Sequence, residues 1–306
     1  MDMQVILNQM VVLFVLLGIG FVVGKAKVLT KEGNRALTKV ILFVALPCTI
    51  LHSVLESKID ITVGDTMFFL LMSLLVFAIA FAIAIPIVYF TRGDKKNHGL
   101  LTYMSVFSNS GFMGFPVVIA IFGFASAFYV ALFNIPFNVF SFSIGIMLIA
   151  GSKNGRFNPK LLINPPLIAS LLAIPIALTG FSTPHIISEA IKLTGNITTP
   201  GAMIVIGSTL SYIPLKKIFV EWRIAVITLL KLIVIPLVTW LILRQFISDP
   251  MMLGVLVVIS GMPTAAQSAM LAVQYDGNEQ IASAGVFITT LLCGITVPLI
   301  VYLLLM

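Results

Sequence analysis

The sequence predicts an all-α polytopic membrane protein of ten transmembrane helices, arranged as an inverted repeat of 5+5 with broken crossover helices 4 and 9. Three observations carry this reading. Of 306 residues, 59% are hydrophobic and only 9% charged, where a soluble domain needs about 25% charged residues to cover its surface. Apolar runs of about 20 residues, the length that crosses a bilayer as a helix, recur along the whole chain. Proline and glycine interrupt those runs at matching places in the two halves.

In order, the runs span 5–24, 36–55, 66–90, 98–123, 127–150, 161–178, 186–211, 222–246, 251–275 and 281–305. None alternates polar and apolar residues as a barrel strand would. Asp2 and no Lys or Arg precede the first run, and Lys25 and Lys27 follow it. That lacks the basic start of an export signal, so a retained helix is expected. Residues 1–150 form the first five-helix repeat and 159–306 the second.

A net charge of +7 raises nucleic-acid binding as an explanation, but the placement of the charges argues for topology. Alternate loops hold Lys25, Lys27, Lys31, Arg35 and Lys39, then Arg92, Lys95 and Lys96, then Lys153, Arg156 and Lys160, then Lys216, Lys217 and Arg223. The intervening loops hold only Lys58, Lys192 and Arg244, against Glu56, Asp60, Asp65, Glu189 and Asp249. The positive-inside rule then puts the basic loops in the cytoplasm and both termini on the non-cytoplasmic side of the cell membrane. No nucleic-acid partner is expected. Cys48 and Cys293 lie in apolar runs with no second Cys or His at ligand spacing. Neither a disulfide framework nor a metal site is indicated.

AIPIVYF around Pro86 is echoed by VIPLVTW around Pro236, GFP ending at Pro116 by GMP ending at Pro263, and ALPCTIL around Pro47 by TTPGAMI around Pro200. The partners lie 150, 147 and 153 residues apart. Three ordered matches at a near-constant offset indicate one five-helix unit used twice. Five is odd, so the second copy enters the membrane in the opposite sense, the inverted repeat common among secondary transporters. Such folds bind substrate near the midplane, between helices interrupted at corresponding positions.

SNSGFMGFPVV, residues 108–118, and VVISGMPTAAQ, residues 257–267, are those interruptions. An interior proline removes a hydrogen bond and clashes with the preceding turn, at about 3 kcal/mol. A break of this kind persists at membrane depth only inside protein or beside a wet cavity. Pro116 and Pro263 suit the first turn of a second half-helix, because proline lacks the N–H that would be orphaned there. Each half-helix start carries about half a positive charge, so two starts make a site for an anion. The candidate substrate-binding residues are Asn109, Ser110, Gly111, Met113, Gly114, Pro116, Gly261, Met262, Pro263, Thr264 and Gln267. Asn109 either offers its amide to a carboxylate or caps the first half-helix. Ser108, Ser110, Thr264 and Ser268 suit back-bonding to their own helix.

Lys231 is the basic residue that falls inside a span, about 12 Å past Arg223 at 1.5 Å per residue. An uncompensated charge there costs on the order of 3 kcal/mol or more. It serves either as counter-charge to freed carbonyls or as substrate counter-ion or stand-in for a coupling cation. Asn134 and Asn138, one turn apart in the fifth span, are candidates to line a cavity. Gly20 and Gly24 allow close packing of the first helix. His52 reads as a packed histidine, and Asp276 as part of a solvated turn.

The Asn109-to-Pro116 segment resembles the Asn-x-x-x-Met-Gly-x-Pro segment of the auxin efflux carrier family, which includes plant auxin exporters and bacterial carriers of malonate or malate. The tail from Ser260 to Leu292 resembles the family's ninth and tenth helices, and NPPLIA at 164–169 resembles the opening of its second repeat. The resemblance implies a scaffold domain from helices 1, 2, 6 and 7 (about 5–56 and 160–211) that dimerises. It implies a mobile transport domain from helices 3–5 and 8–10 (about 66–150 and 222–305) that carries substrate by an elevator movement. It also implies that Asn109 contacts substrate. The long cytoplasmic loop of the plant exporters is missing, since only 151–158 joins the repeats. The third span holds no acidic residue, which argues against a carboxylate-based proton site there.

The function expected is secondary active or facilitative transport of a small organic anion, an auxin-like carboxylate or a dicarboxylate such as malonate or malate. No organic cofactor is expected, with sodium or proton coupling left open; the partners are substrate, membrane lipid and a second copy of the chain. The alternatives are a receptor, sensor or channel with a carrier-derived fold, or a membrane-embedded enzyme. The enzyme reading lacks a His near the breaks, the fourth span holding one only at its first residue, His98, and lacks paired intramembrane acids. The topology predicts that a single cysteine at position 153, in a chain whose own two cysteines are replaced, reacts with an impermeant maleimide only after the cytoplasmic face is opened. Labelling in intact cells overturns it.

Overall fold

The computed structural model describes residues 3–56, 62–91, 94–154, 165–181, 183–212, 222–275 and 277–305. Asp276 lies outside the described residues, as do Lys58, Asp60, Arg92, Arg156, Lys160, Lys216 and Lys217 of the charge pattern. Among the described residues the chain is helical and has no strand, as the apolar runs predict. Helices α1 (Met3–Lys25), α2 (Lys31–Val40), α3 (Leu46–Glu56) and α4 (Val63–Phe90) are followed by α5 (His98–Val106), α6 (Phe115–Phe122), α7 (Ser126–Phe140) and α8 (Ile146–Asn154). Then come α9 (Pro165–Thr179), α10 (His185–Gly195), α11 (Thr198–Ser211), α12 (Arg223–Leu229) and α13 (Ile235–Leu243), and finally α14 (Pro250–Ser260), α15 (Gln267–Gln274) and α16 (Glu279–Ile300).

Wide π turns join several of these into longer rods: Ile41–Ala45 links α2 to α3, Ser141–Gly145 links α7 to α8, and Leu230–Val234 links α12 to α13. Six of the resulting helices, Leu7–Lys25, Lys31–Leu55, Val63–Phe90, Ser126–Ala150, Arg223–Leu243 and Glu279–Leu305, are long and apolar enough to cross a membrane. Shorter apolar helices cover Ser110–Phe122, Pro165–Thr179 and Pro250–Ser260. The surface agrees: α1 exposes Val11, Val15, Ile19 and Val22, side chains suited to lipid. This is a multi-pass membrane protein.

Local chemistry sets where the helices begin. Asp249 accepts hydrogen bonds from the N–H groups of Met251 (2.7 Å) and Met252 (2.9 Å), with Pro250 at the first helical position of α14. Asn278 accepts from Ile281 at 3.1 Å to start α16. Thr62 and Asp65 cap α4 reciprocally: the Asp65 N–H donates to Thr62 Oγ1 at 3.1 Å, and the Thr62 N–H and hydroxyl donate to the Asp65 carboxylate at 3.0 and 2.6 Å.

The chain divides into two compact units. The first comprises residues 1–71, 111–135 and 163–212; the second, residues 72–110, 136–162 and 213–306. In the first unit α11 packs along α1, α9 and α10 pack on α3, and α6 packs on both α1 and α11. Gly20 and Gly24 serve the close approach expected of them, and the partner is α11: a Cβ at Gly20 would collide with the Ile204 backbone, and one at Gly207 with the Leu17 carbonyl. Polar ties hold the same unit. Thr49 Oγ1 donates to the Gly195 carbonyl at 2.9 Å and meets Thr198 Oγ1 at 2.7 Å; Asn34 Nδ2 donates to Thr209 Oγ1 at 2.9 Å. His52 is buried with its ring edge-on to Phe124, in line with a packed histidine.

In the second unit α5 packs against α8, α12, α15 and α16, α13 packs against α14, and α15 against α16. The glycine contacts in the first unit make a direct prediction. Gly20→Ala and Gly207→Ala, which push a methyl into backbone, are expected to destabilise the protein by about 1–3 kcal/mol. Gly18→Ala, whose Cβ would meet nothing within 4 Å, is the neutral control in thermal unfolding in detergent.

Candidate functional site

The helix breaks predicted in the fourth and ninth spans are present in the second unit, and they pair. α5 ends at Val106, and Phe107 turns to an extended backbone (φ −88°, ψ 115°). α14 ends at Ser260, after which 261–266 run without helical winding to α15 at Gln267. Ser108 and Thr264 form an isolated antiparallel bridge. Across it the Asn109 N–H donates to the Pro263 carbonyl at 2.8 Å, and the Ala265 N–H to the Phe107 carbonyl at 2.9 Å. Each broken helix thus supplies what the other lost.

Side chains meet two of the carbonyls freed at the end of α5. The Thr264 hydroxyl donates to Met104 O at 2.9 Å. Lys231, fully buried in the wide turn Leu230–Val234, donates to Val106 O at 3.1 Å and to Ser108 Oγ at 2.7 Å. The Ser110 N–H donates to Ser108 O at 2.8 Å. The Thr264 N–H donates in turn to Thr289 Oγ1 of α16, at 3.2 Å. Back-bonding therefore does not describe Ser108 and Thr264, whose hydroxyls bond Lys231 and Met104 O of other elements instead.

Two sequence expectations about the prolines shift. Pro263 lies in the bridged stretch rather than in the first turn of α15, where its fixed φ suits extended backbone and its carbonyl is the acceptor for Asn109. Pro116 is the second residue of α6, but winding resumes earlier, through the wide turn Ser110–Gly114. The break thus falls at 107–109, one turn before the Gly-x-Pro. Gly111, Met113, Gly114 and Pro116 belong to the first unit, where Met113, Gly114 and Pro116 are buried and Gly111 has open space beside its Cα.

Asn109 is 5% exposed, and its Nδ2 has no hydrogen-bond partner among the described residues. Two amide donors are thereby unspent beside the bridge. Ser110 is fully buried. Gln267, the first residue of α15, donates from Nε2 to Tyr103 Oη at 2.9 Å and to Ser141 Oγ at 2.6 Å, while those two hydroxyls stand 2.8 Å apart. The Tyr103 ring stacks on Phe107 at 4.5 Å, and Gly145 gives it room. Phe107 also meets Phe77, Phe81 and Phe137 at 5.8–6.0 Å, so an aromatic wall backs the extended strand.

The remaining predicted residues lie as follows. Gly261 packs against Pro236 and Ile300, and Met262 is fully buried. Asn134 and Asn138 both lie on α7; Asn134 Nδ2 donates to Val130 O, one turn back, at 2.8 Å, and Asn138 is half-buried. Tyr103, Ser141 and Thr289 were not anticipated. Each is one of several hydroxyls in a largely apolar helix, and none has a spacing that marks it. Among the described residues no group of three or more His, Cys, Asp or Glu gathers to hold a metal.

With this geometry in place, comparison with known proteins is informative. A sequence profile described as a membrane transport protein matches residues 5–158 and 153–301. An uncharacterized transporter of Methanothermobacter thermautotrophicus is 26% identical over 292 residues, covering 93% of this chain and 94% of the relative. The uncharacterized transporter YfdV of Escherichia coli K12 is 24% identical over 309 residues, 97% of this chain and 96% of its own. A candidate malonate transporter of Rhizobium meliloti is 26% identical over 211 residues, 66% of this chain and 65% of that protein.

Replacing Thr264 by Val keeps its shape while leaving Met104 O without its donor. The substitution is expected to cost about 1–3 kcal/mol, the penalty of an unmet buried group, read as a lowered unfolding midpoint in detergent.

Proposed function

Because this chain belongs to the membrane transport protein family, which includes the auxin efflux carriers, we propose that it is a secondary carrier moving a small organic anion, an auxin-like carboxylate or a dicarboxylate such as malonate or malate. The observation that carries the substrate class is Asn109: a buried amide whose donors are unspent, beside an exchange that occupies the neighbouring backbone. A buried donor pair without acceptor is costly, and a carboxylate that accepts it recovers that cost. Winding resumes at Ser110 and at Gln267, two and three residues past the bridged pair, so two helix starts begin beside it. Helix starts favour negative charge. The name of the Rhizobium relative is in keeping with a dicarboxylate.

In this reading the two breaks are the crossover of an inverted 5+5 repeat, and Asn109, with Ser110, Thr264 and Gln267 near the bridge, binds the substrate. Helices 1, 2, 6 and 7 form a scaffold through which two copies dimerise, and the remaining six move as an elevator. Support for a scaffold comes from α1, α2, α3, α9, α10 and α11, which pack together within one compact unit, although that unit also holds 111–135 of the fourth and fifth spans. Both termini face away from the cytoplasm by the charge pattern of the loops.

The test is uptake into proteoliposomes of malonate, malate and an indole carboxylate, with and without ion gradients. At least one is expected to be moved, and Asn109→Ala to weaken its binding on the order of 10- to 100-fold, as loss of a hydrogen bond to a charged group implies. If none is moved and Asn109→Ala alters the binding of none, the anion reading is wrong.

A further inference from the structure

Cation-coupled carriers hold their sodium ions with the carbonyls that unwound helices set free. Here the carbonyls at the broken end of α5 are engaged otherwise. Val106 O and Ser108 Oγ, two oxygens at the break, both receive the ammonium of Lys231, at 3.1 and 2.7 Å. The side chain is fully buried. Its two acceptors are neutral oxygens, and among the described residues no carboxylate comes within ion-pair distance of it.

Both acceptors are oxygens, one carbonyl and one hydroxyl, and oxygen ligands without nitrogen or sulfur suit a hard cation. The ammonium is compact and carries three donors on a flexible stem, so it spends its charge on the oxygens as a bare ion would. It differs in being tethered: it cannot leave with a gradient or be exchanged for another ion. The wide turn Leu230–Val234, which precedes Pro236, presents it.

From this juxtaposition we infer that Lys231 is a built-in replacement for a coupling sodium ion, a positioning residue that holds the break closed and makes the carrier independent of sodium. The inference rests on the anion-carrier reading for its transport consequence, but not for its structural one. Removing the ammonium leaves two oxygens whose need is met by sodium from solution.

The experiment uses the purified full chain with K231Q and K231M, followed by thermal unfolding in sodium chloride and in choline chloride. The wild type is expected to unfold at the same midpoint in both salts. The variants are expected to unfold earlier in choline and to regain stability with rising sodium, saturably. In proteoliposomes, malonate uptake by the wild type is expected to be equal in the two salts. Uptake by the variants should fall on the order of tenfold in choline and recover in sodium. Wild-type stability or uptake that depends on sodium overturns the inference, whatever the variants do. So do variants that behave alike in the two salts, or that fold in neither. Loss of anion binding in K231Q that sodium does not restore makes Lys231 the substrate's counter-ion instead, and also overturns it. A wild type that moves no anion defeats the carrier reading, while the unfolding comparison still decides the role of Lys231.

Discussion

Lipid offers no hydrogen bonds, so a helix interrupted inside a membrane protein must find partners for every group it releases. That requirement organises the second unit. Two interrupted helices lie antiparallel for one bridge, Ser108 with Thr264, and trade the Asn109 and Ala265 N–H groups for the Pro263 and Phe107 carbonyls. Two further oxygens at the end of α5 recruit side chains from elsewhere: Thr264 for Met104 and Lys231 for Val106. Phe107, whose backbone is in the exchange, is wedged among four aromatic rings. The backbone exchange and the buried lysine answer one demand.

The same demand explains where donors remain. Backbone at the bridge is consumed, and the hydroxyls of Thr264, Tyr103 and Ser141 are engaged with neighbours. Asn109 differs because its backbone N–H serves the bridge while its amide Nδ2 has no acceptor among the described residues. Of the two readings left open for its side chain from sequence, the cap of the first half-helix is not made by Nδ2.

Much of this was legible in the residues. Runs of twenty apolar residues have one solution in a bilayer, so the helices followed from length and composition. The breaks followed from Gly-x-Pro, because few residues interrupt a helix as strongly. Their positions did not. The sequence pointed to Pro116, yet the chain unwinds at 107–109 and is rewound by the time it reaches that proline. Proline marks a constraint on the residues before it, and the distance over which that constraint is relieved depends on packing. Lys231 was visible as a charge at depth, but its acceptors were not, since Val106 and Ser108 lie more than 120 residues earlier. Tyr103, Ser141 and Thr289 were hidden for a related reason: a hydroxyl in an apolar helix bonds back to its own turn as readily as across to a neighbour.

The prolines of the repeat make the same point in reverse. Pro47, Pro116 and Pro236 are each the second residue of an α-helical segment entered through a wide turn, Ile41–Ala45, Ser110–Gly114 and Leu230–Val234 respectively. A wide turn relieves the carbonyl that the proline ring would strike and the N–H it lacks. Their sequence partners are handled differently: Pro200 falls in the first turn of α11, where no N–H is needed, and Pro86 stays within the unbroken α4. Similar sequence in two halves therefore produces dissimilar local backbone. One extra residue in a turn rotates what lies beyond it by about 100° about the helix axis, enough to change which face a side chain joins. In the rod from α12 to α13 the turn that absorbs this rotation carries Lys231, whereas Pro86 has no such turn before it. The lysine reaches the break because the proline after it forces the helix open one residue wider.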